Sequence, residues 1–325
     1  MGDIMKEQQS AAAVVRVSKE KQKASLKKQL KNQRTLILLS IPFVIYAIVF
    51  CYVPLGGWIM AFEKYKAKDG IFHSKWVGLQ NFTKLFSDDI FLKVIRNTLA
   101  MGIINLVLGT VLAILFAVLL NEVRLILAKK FVQTVSYLPH FLSPIIVTGI
   151  VFDVLSMEHG IINQVLIALH IIPKAVNFLA EPKYFWWIVG LTNAWKETGW
   201  NSIIYLAAIT SINPDLYEAA SIDGAGRLSK IWHVTLPGLK PTILILLIMS
   251  VGNVLNVGFE LQYILGNGLV QSVSQTIDIY VLKYGIGQNN FSLGTAAGIF
   301  KSAVSIILIV ISNQVAKRLG EEHLF

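Results

Sequence analysis

The chain has 325 residues, 54% of them hydrophobic and only 15% charged, with a mean hydropathy of +0.61. A soluble domain carries roughly 25% charged residues, so this composition excludes an ordinary water-soluble globule and points to a membrane bundle. The formal net charge is +10, and residues 1–34 hold nine Lys/Arg (Lys6, Arg16, Lys19, Lys21, Lys23, Lys27, Lys28, Lys31, Arg34) against three acids, Asp3, Glu7 and Glu20. This tail runs straight into an apolar span. Retention of the N-terminus in the cytoplasm and attraction to anionic lipid explain it better than a nucleic-acid arm does.

About 20 mostly apolar residues cross a bilayer core. Six segments meet that length in order: 36–62, 97–121, 131–152, 184–212, 241–263 and 291–316. The first is too long for a signal-peptide core and lacks a small-x-small cleavage site, so it reads as an uncleaved anchor. The third contains Pro139, His140 and Pro144, and the fourth is interrupted by Lys196-Glu197. The apolar stretch 161–172 is too short to span and is expected to lie in the interface or re-enter. The expectation is an all-α bundle of six transmembrane helices over 35–325, with both termini cytoplasmic. Residues 63–96, outside in this topology, hold seven Lys/Arg, so the charge rule supports it only weakly.

Cys51 is the single cysteine, which leaves no internal disulfide and no cysteine-based metal site. The six histidines show no zinc-type spacing, and no phosphate-binding G-x-x-x-x-G-K-[ST] loop occurs. No metal and no cofactor are therefore assigned to this chain, and any ATP-driven reading needs an ATPase on another chain.

The segment 213–240 between the fourth and fifth spans is polar. Asn213-Pro214 is a helix start, an Asn cap with Pro at the first helical position. Asp215 and Glu218 favour the positive end of the helix dipole. Ala219-Ala220 let another surface come close, and Gly224 suits a left-handed cap. A second short helix is expected over about 227–234, ended by Leu236-Pro237 before the fifth span. Such a piece is suited to docking.

Within the spans, ionisable and amide groups are costly and usually face an interior or a water-filled path. Asn193, Glu197 and Asn201 recur at i, i+4 and i+8 on the fourth span, with Lys196 and Trp200 beside them. On the fifth, Asn253, Asn256 and Glu260 recur at i, i+3 and i+7. Amides both donate and accept hydrogen bonds, and an indole offers a flat apolar face, so Asn193, Glu197, Trp200, Asn201, Asn253, Asn256 and Glu260 are candidates for the path of a hydroxyl-rich solute. They serve equally as polar glue between helices, and both readings stay open. His140 reads as a helix-packing group, Asp153 as interfacial, and Lys301 as snorkelling or paired. The connection 264–290, rich in Gly, amides and Tyr, would face outside. The seven basic groups of 63–96 would suit an acidic docking face or an acidic sugar.

The stretch Glu218-Ala219-Ala220, three residues, Gly224, nine residues, Val234, one residue, Leu236-Pro237 resembles the cytoplasmic coupling loop of bacterial ABC importer permeases. Val234 stands where Ile is commoner. The stretches Tyr52-Val53-Pro54-Leu55-Gly56-Gly57, Trp76-Val77-Gly78-Leu79-Gln80-Asn81-Phe82, Arg96-Asn97-Thr98-Leu99, Tyr137-Leu138-Pro139-His140-Phe141, Gly160-Ile161-Ile162-Asn163 and Trp195-Lys196-Glu197-Thr198-Gly199-Trp200 extend the likeness over nearly the whole chain after the tail. Together they resemble the sugar-type, LplB-like branch that handles polysaccharide fragments and oligosaccharides. The resemblance implies a type I importer permease fold in a bacterial cytoplasmic membrane. It also implies a second related permease, two ATPase subunits holding ATP and Mg, an extracytoplasmic solute-binding protein and an oligosaccharide substrate. Glu218, Ala219, Ala220, Asp223, Gly224, Gly226 and Pro237 are the ATPase-coupling residues on this reading. A membrane-embedded enzyme would need a clustered catalytic set, and the acids are dispersed. A self-contained secondary transporter using Glu197 or Glu260 as a proton site leaves the 213–237 loop without a purpose.

Overall fold

The computed structural model describes residues 33–320 together with 322 and 324, so nearly all of the basic tail lies outside the described residues. Contacts divide the chain between Ile59 and Met60. The first part is α1, Arg34–Ala47, prolonged by a π-helical turn, Ile48–Tyr52, and by a 3-10 stretch that starts at Val53. It is apolar on every side, which a helix in lipid can be and a surface helix in water cannot.

In the second part, a short antiparallel ribbon pairs β1, Glu63–Lys64, with β2, Lys75–Trp76. Helix α2, Gln80–Phe86, follows. The buried Asn81 of α2 donates from Nδ2 to the carbonyls of Ala61 (2.8 Å) and Glu63 (2.9 Å), which fixes the ribbon. Helix α3 runs from Asp89 to Asn121, 33 residues, and starts eight residues before the expected 97. The reason is local. Asp88 Oδ1 accepts the Ile90 amide at 2.9 Å, so the cap lies upstream of the uncharged run. At ~1.5 Å per residue α3 is ~50 Å long, well beyond a ~30 Å hydrocarbon core, and Lys93 and Arg96 ride on the extension.

The expected third span is not one straight helix. Helix α4, Ile126–Tyr137, passes through a 3-10 turn, Leu138–Phe141, into α5, Pro144–Leu155, with a bend of 104°. Pro139 and Pro144 lack the amide hydrogens an unbroken ladder needs, and the Ser143 hydroxyl caps the new start at the Ile146 amide. The short apolar stretch forms α6, Ile161–Ala168. Buried Asn163 pins this excursion by donating to the Ser156 and Val176 carbonyls, both 3.0 Å, and accepting the Val176 amide at 2.9 Å.

Helix α7, Pro182–Thr210, is the fourth span. A hairpin follows: α8, Pro214–Ile222, then α9, Arg227–Lys230, a π-helical turn, Ile231–Thr235, and α10, Leu236–Gly252. After Gly252 come α11, Glu260–Leu265, a single turn, Gln271–Ser274, and α12, Ile277–Tyr280, which continues as a π-helical turn to Ile286. The last helix is α13, Phe291–Arg318. Among the described residues, 34–62, 89–121, 227–252 and 291–318 are long and apolar enough to cross a membrane, and the bent α4–α5 pair makes a fifth. The 29-residue α7 has the length for a sixth, and its Lys196-Glu197 pair and amides make it too polar to pass on composition.

Three apolar clusters mark successive levels along α3. Phe91 and Val94 pack with Ile277, Tyr280, Ala296 and Ala297 at one end. Met101 meets Val147, Phe185, Val189 and Leu261 lower down. Ala113 and Ala117 meet Tyr205, Ile209 and Leu239 at the hairpin end. At the far end the Tyr280 hydroxyl donates to Asp88 Oδ2 at 2.8 Å, and burial, then this carboxylate, push the phenol far above its ordinary value. Lys301 pairs with both carboxylate oxygens of Asp278, at 2.7 and 2.8 Å, and so is paired rather than snorkelling.

Candidate translocation cavity and docking hairpin

The hairpin after α7 has the start its sequence calls for. Asn213 Oδ1 accepts the Asp215 amide at 3.0 Å, with Pro214 in the first turn. Its end is a Schellman cap: the Ala225 amide donates to the Ala220 carbonyl (2.8 Å) and the Gly224 amide to the Ser221 carbonyl (3.1 Å), with Gly224 at φ 78°. Asp223 is the capping residue and Gly226 the N-cap of α9. Two side-chain bonds tie the limbs together, Tyr217 Oη with Thr235 Oγ1 at 3.0 Å and Lys230 Nζ to Ser221 Oγ at 2.6 Å. Glu218 and Ala219 are exposed and Ala220 is half-buried. Around them stand Ile222, Leu228 and Trp232, which are 87%, 82% and 69% exposed and give this polar hairpin an uncovered apolar rim.

Pro237 does not end the second limb as expected. Helix α10 runs through it, with Pro237 in its first turn. The π-helical turn before it shifts the bonding, so that the Leu236 amide reaches the Ile231 carbonyl. That wider turn makes room for a proline ring within a continuing helix. The fifth span therefore begins inside the hairpin and stops at Gly252, short of the expected 263.

A cavity of about 390 Å³ lies between α3, α7, α10 and the irregular segment after α10. Asn105 and Thr110 of α3, Asn201 and Tyr205 of α7, Ser250 of α10, and Asn253 and Asn256 supply its polar wall. Among the described residues that line it, none is charged. Gly102 lies where a Cβ would overlap the Val254 carbonyl, so only glycine lets α3 approach this segment so closely. Asn253 caps α10 and donates to the Met249 carbonyl (3.1 Å), while Asn256 Nδ2 donates to Asn253 Oδ1 (3.0 Å).

The seven path candidates thus separate. Asn201, Asn253 and Asn256 line the cavity. Asn193 sits behind it and donates to Asn105 Oδ1 at 3.3 Å. Asn253, Asn256 and Glu260 share no helix face, because α10 ends at Gly252 and Gly258, at φ 88°, turns the chain before α11. Glu260 is exposed at the first position of α11, outside the cavity lining. Glu197 and Trp200 face the α4–α5 bend. His140 Nδ1 lies 2.7 Å from Glu197 Oε2, and Lys196 Nζ donates to Glu197 Oε1 (2.7 Å) and to the His140 carbonyl (3.1 Å). The His140 ring stacks on Trp200 at 4.4 Å between centroids, so it is the packing group its sequence position suggests. Asn105, Thr110, Tyr205 and Ser250 went unnoticed in the sequence. An amide in an otherwise uncharged span, as at Asn105, was the available signal.

Residues 109–321 match the family described as binding-protein-dependent transport system inner membrane component. The chain belongs to this family. It is a transport subunit rather than an enzyme. It is 43% identical to the polygalacturonan/rhamnogalacturonan transport system permease protein YteP of Bacillus subtilis (strain 168), over 98% of both chains. It is 40% identical to Protein LplB of the same organism, over 91% of this chain and 92% of that one. A crystal structure of a bacterial alginate ABC transporter in complex with an alginate pentasaccharide-bound periplasmic protein contains a chain that superposes with a TM-score of 0.83 at 36% identity, covering 91% of this permease and 99% of that chain.

Proposed function

We propose that this permease forms half of the translocation path of an ATP-driven, binding-protein-dependent importer for oligosaccharides or polysaccharide fragments. It sits in the bacterial cytoplasmic membrane with both termini cytoplasmic. A second, related permease completes the path, two ATPase subunits dock on the hairpin, and an extracytoplasmic binding protein delivers the solute. The observation that carries this reading is the hairpin itself. It is capped at both ends of α8, cross-tied at Tyr217–Thr235 and Ser221–Lys230, rimmed with exposed apolar side chains, and continuous with a helix that lines the cavity. A neutral wall of amides and hydroxyls suits a hydroxyl-rich solute. One relative is named for polygalacturonan/rhamnogalacturonan transport and the structural neighbour for alginate, which supports the solute class.

The test is affinity purification of the chain from mild-detergent extracts of native membranes, with partners identified by mass spectrometry. The expected result is co-purification of a second permease and an ATPase, lost on replacing Glu218 by Lys. Recovery of the chain alone at good yield would refute the reading.

A further inference from the structure

At the end of α3 away from the hairpin, two adjoining pockets of about 240 and 190 Å³ share Gln271 and Gln275 as a common wall. Together they reach the size of a small-ligand site, roughly 300–1,000 Å³. The first holds Lys93 and the second Lys283, and among the described lining residues there is no Asp or Glu. Both lysines are exposed, and neither forms an ion pair among the described residues.

Two buried amides line the second pocket with unmatched atoms. Gln262 is 1% exposed. Its Nε2 donates to the Val257 carbonyl and its Oε1 has no partner. Gln275 is 4% exposed. Its backbone carbonyl accepts from Asn97 at 3.2 Å, but its side-chain Nε2 has no partner. Enclosed polar groups are normally satisfied, and leaving one unmet costs stability. The last torsion of glutamine is soft, so the unbonded Gln275 amide can turn to meet a ligand.

The geometry points to an entry subsite for an anionic sugar unit, separate from the 390 Å³ cavity. It rests on the saccharide-importer reading. Lys93 and Lys283 attract a carboxylate, Gln275 Nε2 donates to it, and Gln262 Oε1 accepts from a ring hydroxyl. An unmatched acceptor beside an unmatched donor asks for a ligand that offers both. A uronate does so, and a phosphate at neutral pH offers few donors. The concave setting of the orphan atoms favours a sugar over a flat protein face. Gln262 also ties the subsite to the cavity, because the Val257 carbonyl it holds belongs to a residue of the cavity wall.

The experiment is calorimetric binding of trigalacturonate and of its neutral methyl ester to the assembled importer in lipid nanodiscs, without the binding protein. Wild type is compared with the Lys93→Gln/Lys283→Gln double variant and with Gln275→Leu. The expected result is that the acid binds wild type about tenfold or more tighter than the ester, since a charge-assisted hydrogen bond carries about that factor. The lysine variant should lose that preference with ester affinity intact, and Gln275→Leu should weaken both ligands. Equal binding of acid and ester by wild type overturns the proposal, as do unchanged affinities in both variants. Intact sugar affinity with lost ATPase stimulation in the lysine variant would also overturn it, by making the patch a docking face. Binding-protein-stimulated ATP hydrolysis by wild type, measured on the same samples, separates the two readings. Its absence fails the importer reading itself, and its presence without acid preference fails the subsite alone.

Discussion

Replacing Gly224 tests whether the docking hairpin works through its backbone shape. Gly224 sits at φ 78°, where a side chain with a Cβ is strained, and its amide and the next one close the Schellman cap on α8. Beyond its own chain neighbours, no atom lies within 4 Å of the position a Cβ would take, so space is not the constraint within this chain. Left-handed backbone costs a non-glycine residue about 1–2 kcal/mol, less for Asn and more for a β-branched side chain. A cost of ~1.4 kcal/mol lowers the capped population about tenfold relative to the uncapped one. Activity should therefore fall in the order Gly, Asn, Ala, Val, with Asn near wild type and Val down by tenfold or more. The assay is ATP hydrolysis stimulated by the loaded binding protein, on importer reconstituted at limiting ATPase subunit. A Val variant as active as wild type would refute the need for the cap. An Asn variant as poor as Val would show that the partner's surface, and not the φ angle, excludes the side chain.

Three further outcomes are expected. Asn201→Leu, which replaces a polar part of the cavity wall, should slow uptake while ATPase docking persists in pull-down; unchanged uptake would remove the cavity from the path. Glu197→Gln takes away the charge that joins Lys196 to His140 at 2.7 Å on either side, and should cost about 1–3 kcal/mol, read as a lower melting temperature of the purified permease; an unshifted melt would make the ion pair incidental. Tyr280 is neutral in the fold with its phenol held above its ordinary value near 10, so its stabilising contribution is present below pH 10 and is lost as pH climbs past it; Tyr280→Phe should lower stability at pH 8 and flatten the alkaline decline, and parallel melting curves for both proteins up to pH 11 would contradict this.

The hairpin was legible because its determinants are local. Asn213-Pro214 and Gly224 each act within one helical turn, and the structure uses them as a cap, a first-turn proline and a left-handed stop. Pro237 carried the opposite message from the one the fold reads. A proline alone says stop, and only the π-helical turn of Ile231–Thr235 reveals how the helix continues. The end of the fifth span was hidden for a different reason. Val254, Leu255 and Val257 are as apolar as the helix before them and are buried in the bundle, so hydropathy runs on where the backbone does not. The polar stripe on α7 was real but wider than a single face. Each step of four residues drifts by about 40°, and the three positions meet different neighbours: Asn193 bonds Asn105, Glu197 meets the bend and Asn201 lines the cavity. Asn105 faces the cavity because of how α3 packs on α7, and an apolar helix gives no periodic signal for that orientation.

The arrangement explains how a push on the hairpin would reach the solute. From Arg227 to Gly252 the helix is continuous through its π-helical turn, 26 residues or ~39 Å. Leu246, Met249 and Ser250 near its far end are cavity wall. The first limb, α8, is tied to the second by Tyr217 and Ser221, which bond Thr235 and Lys230. The hairpin is joined to the cavity by a second route as well, since α8 follows α7 after Ser211–Asn213 and α7 carries Asn201 and Tyr205. Both helices joined to the hairpin therefore line the same cavity, and both contribute to the apolar cluster of Tyr205, Ile209 and Leu239 between the two. That cluster packs against Ala113 and Ala117 of α3, and further along α3 Gly102 comes close to the Val254 carbonyl. The amides of the cavity lie on both sides of that seam, Asn105 on α3 and Asn201 and Asn253 across from it. A tilt of α7 and α10 against α3 would change the spacing of these amides.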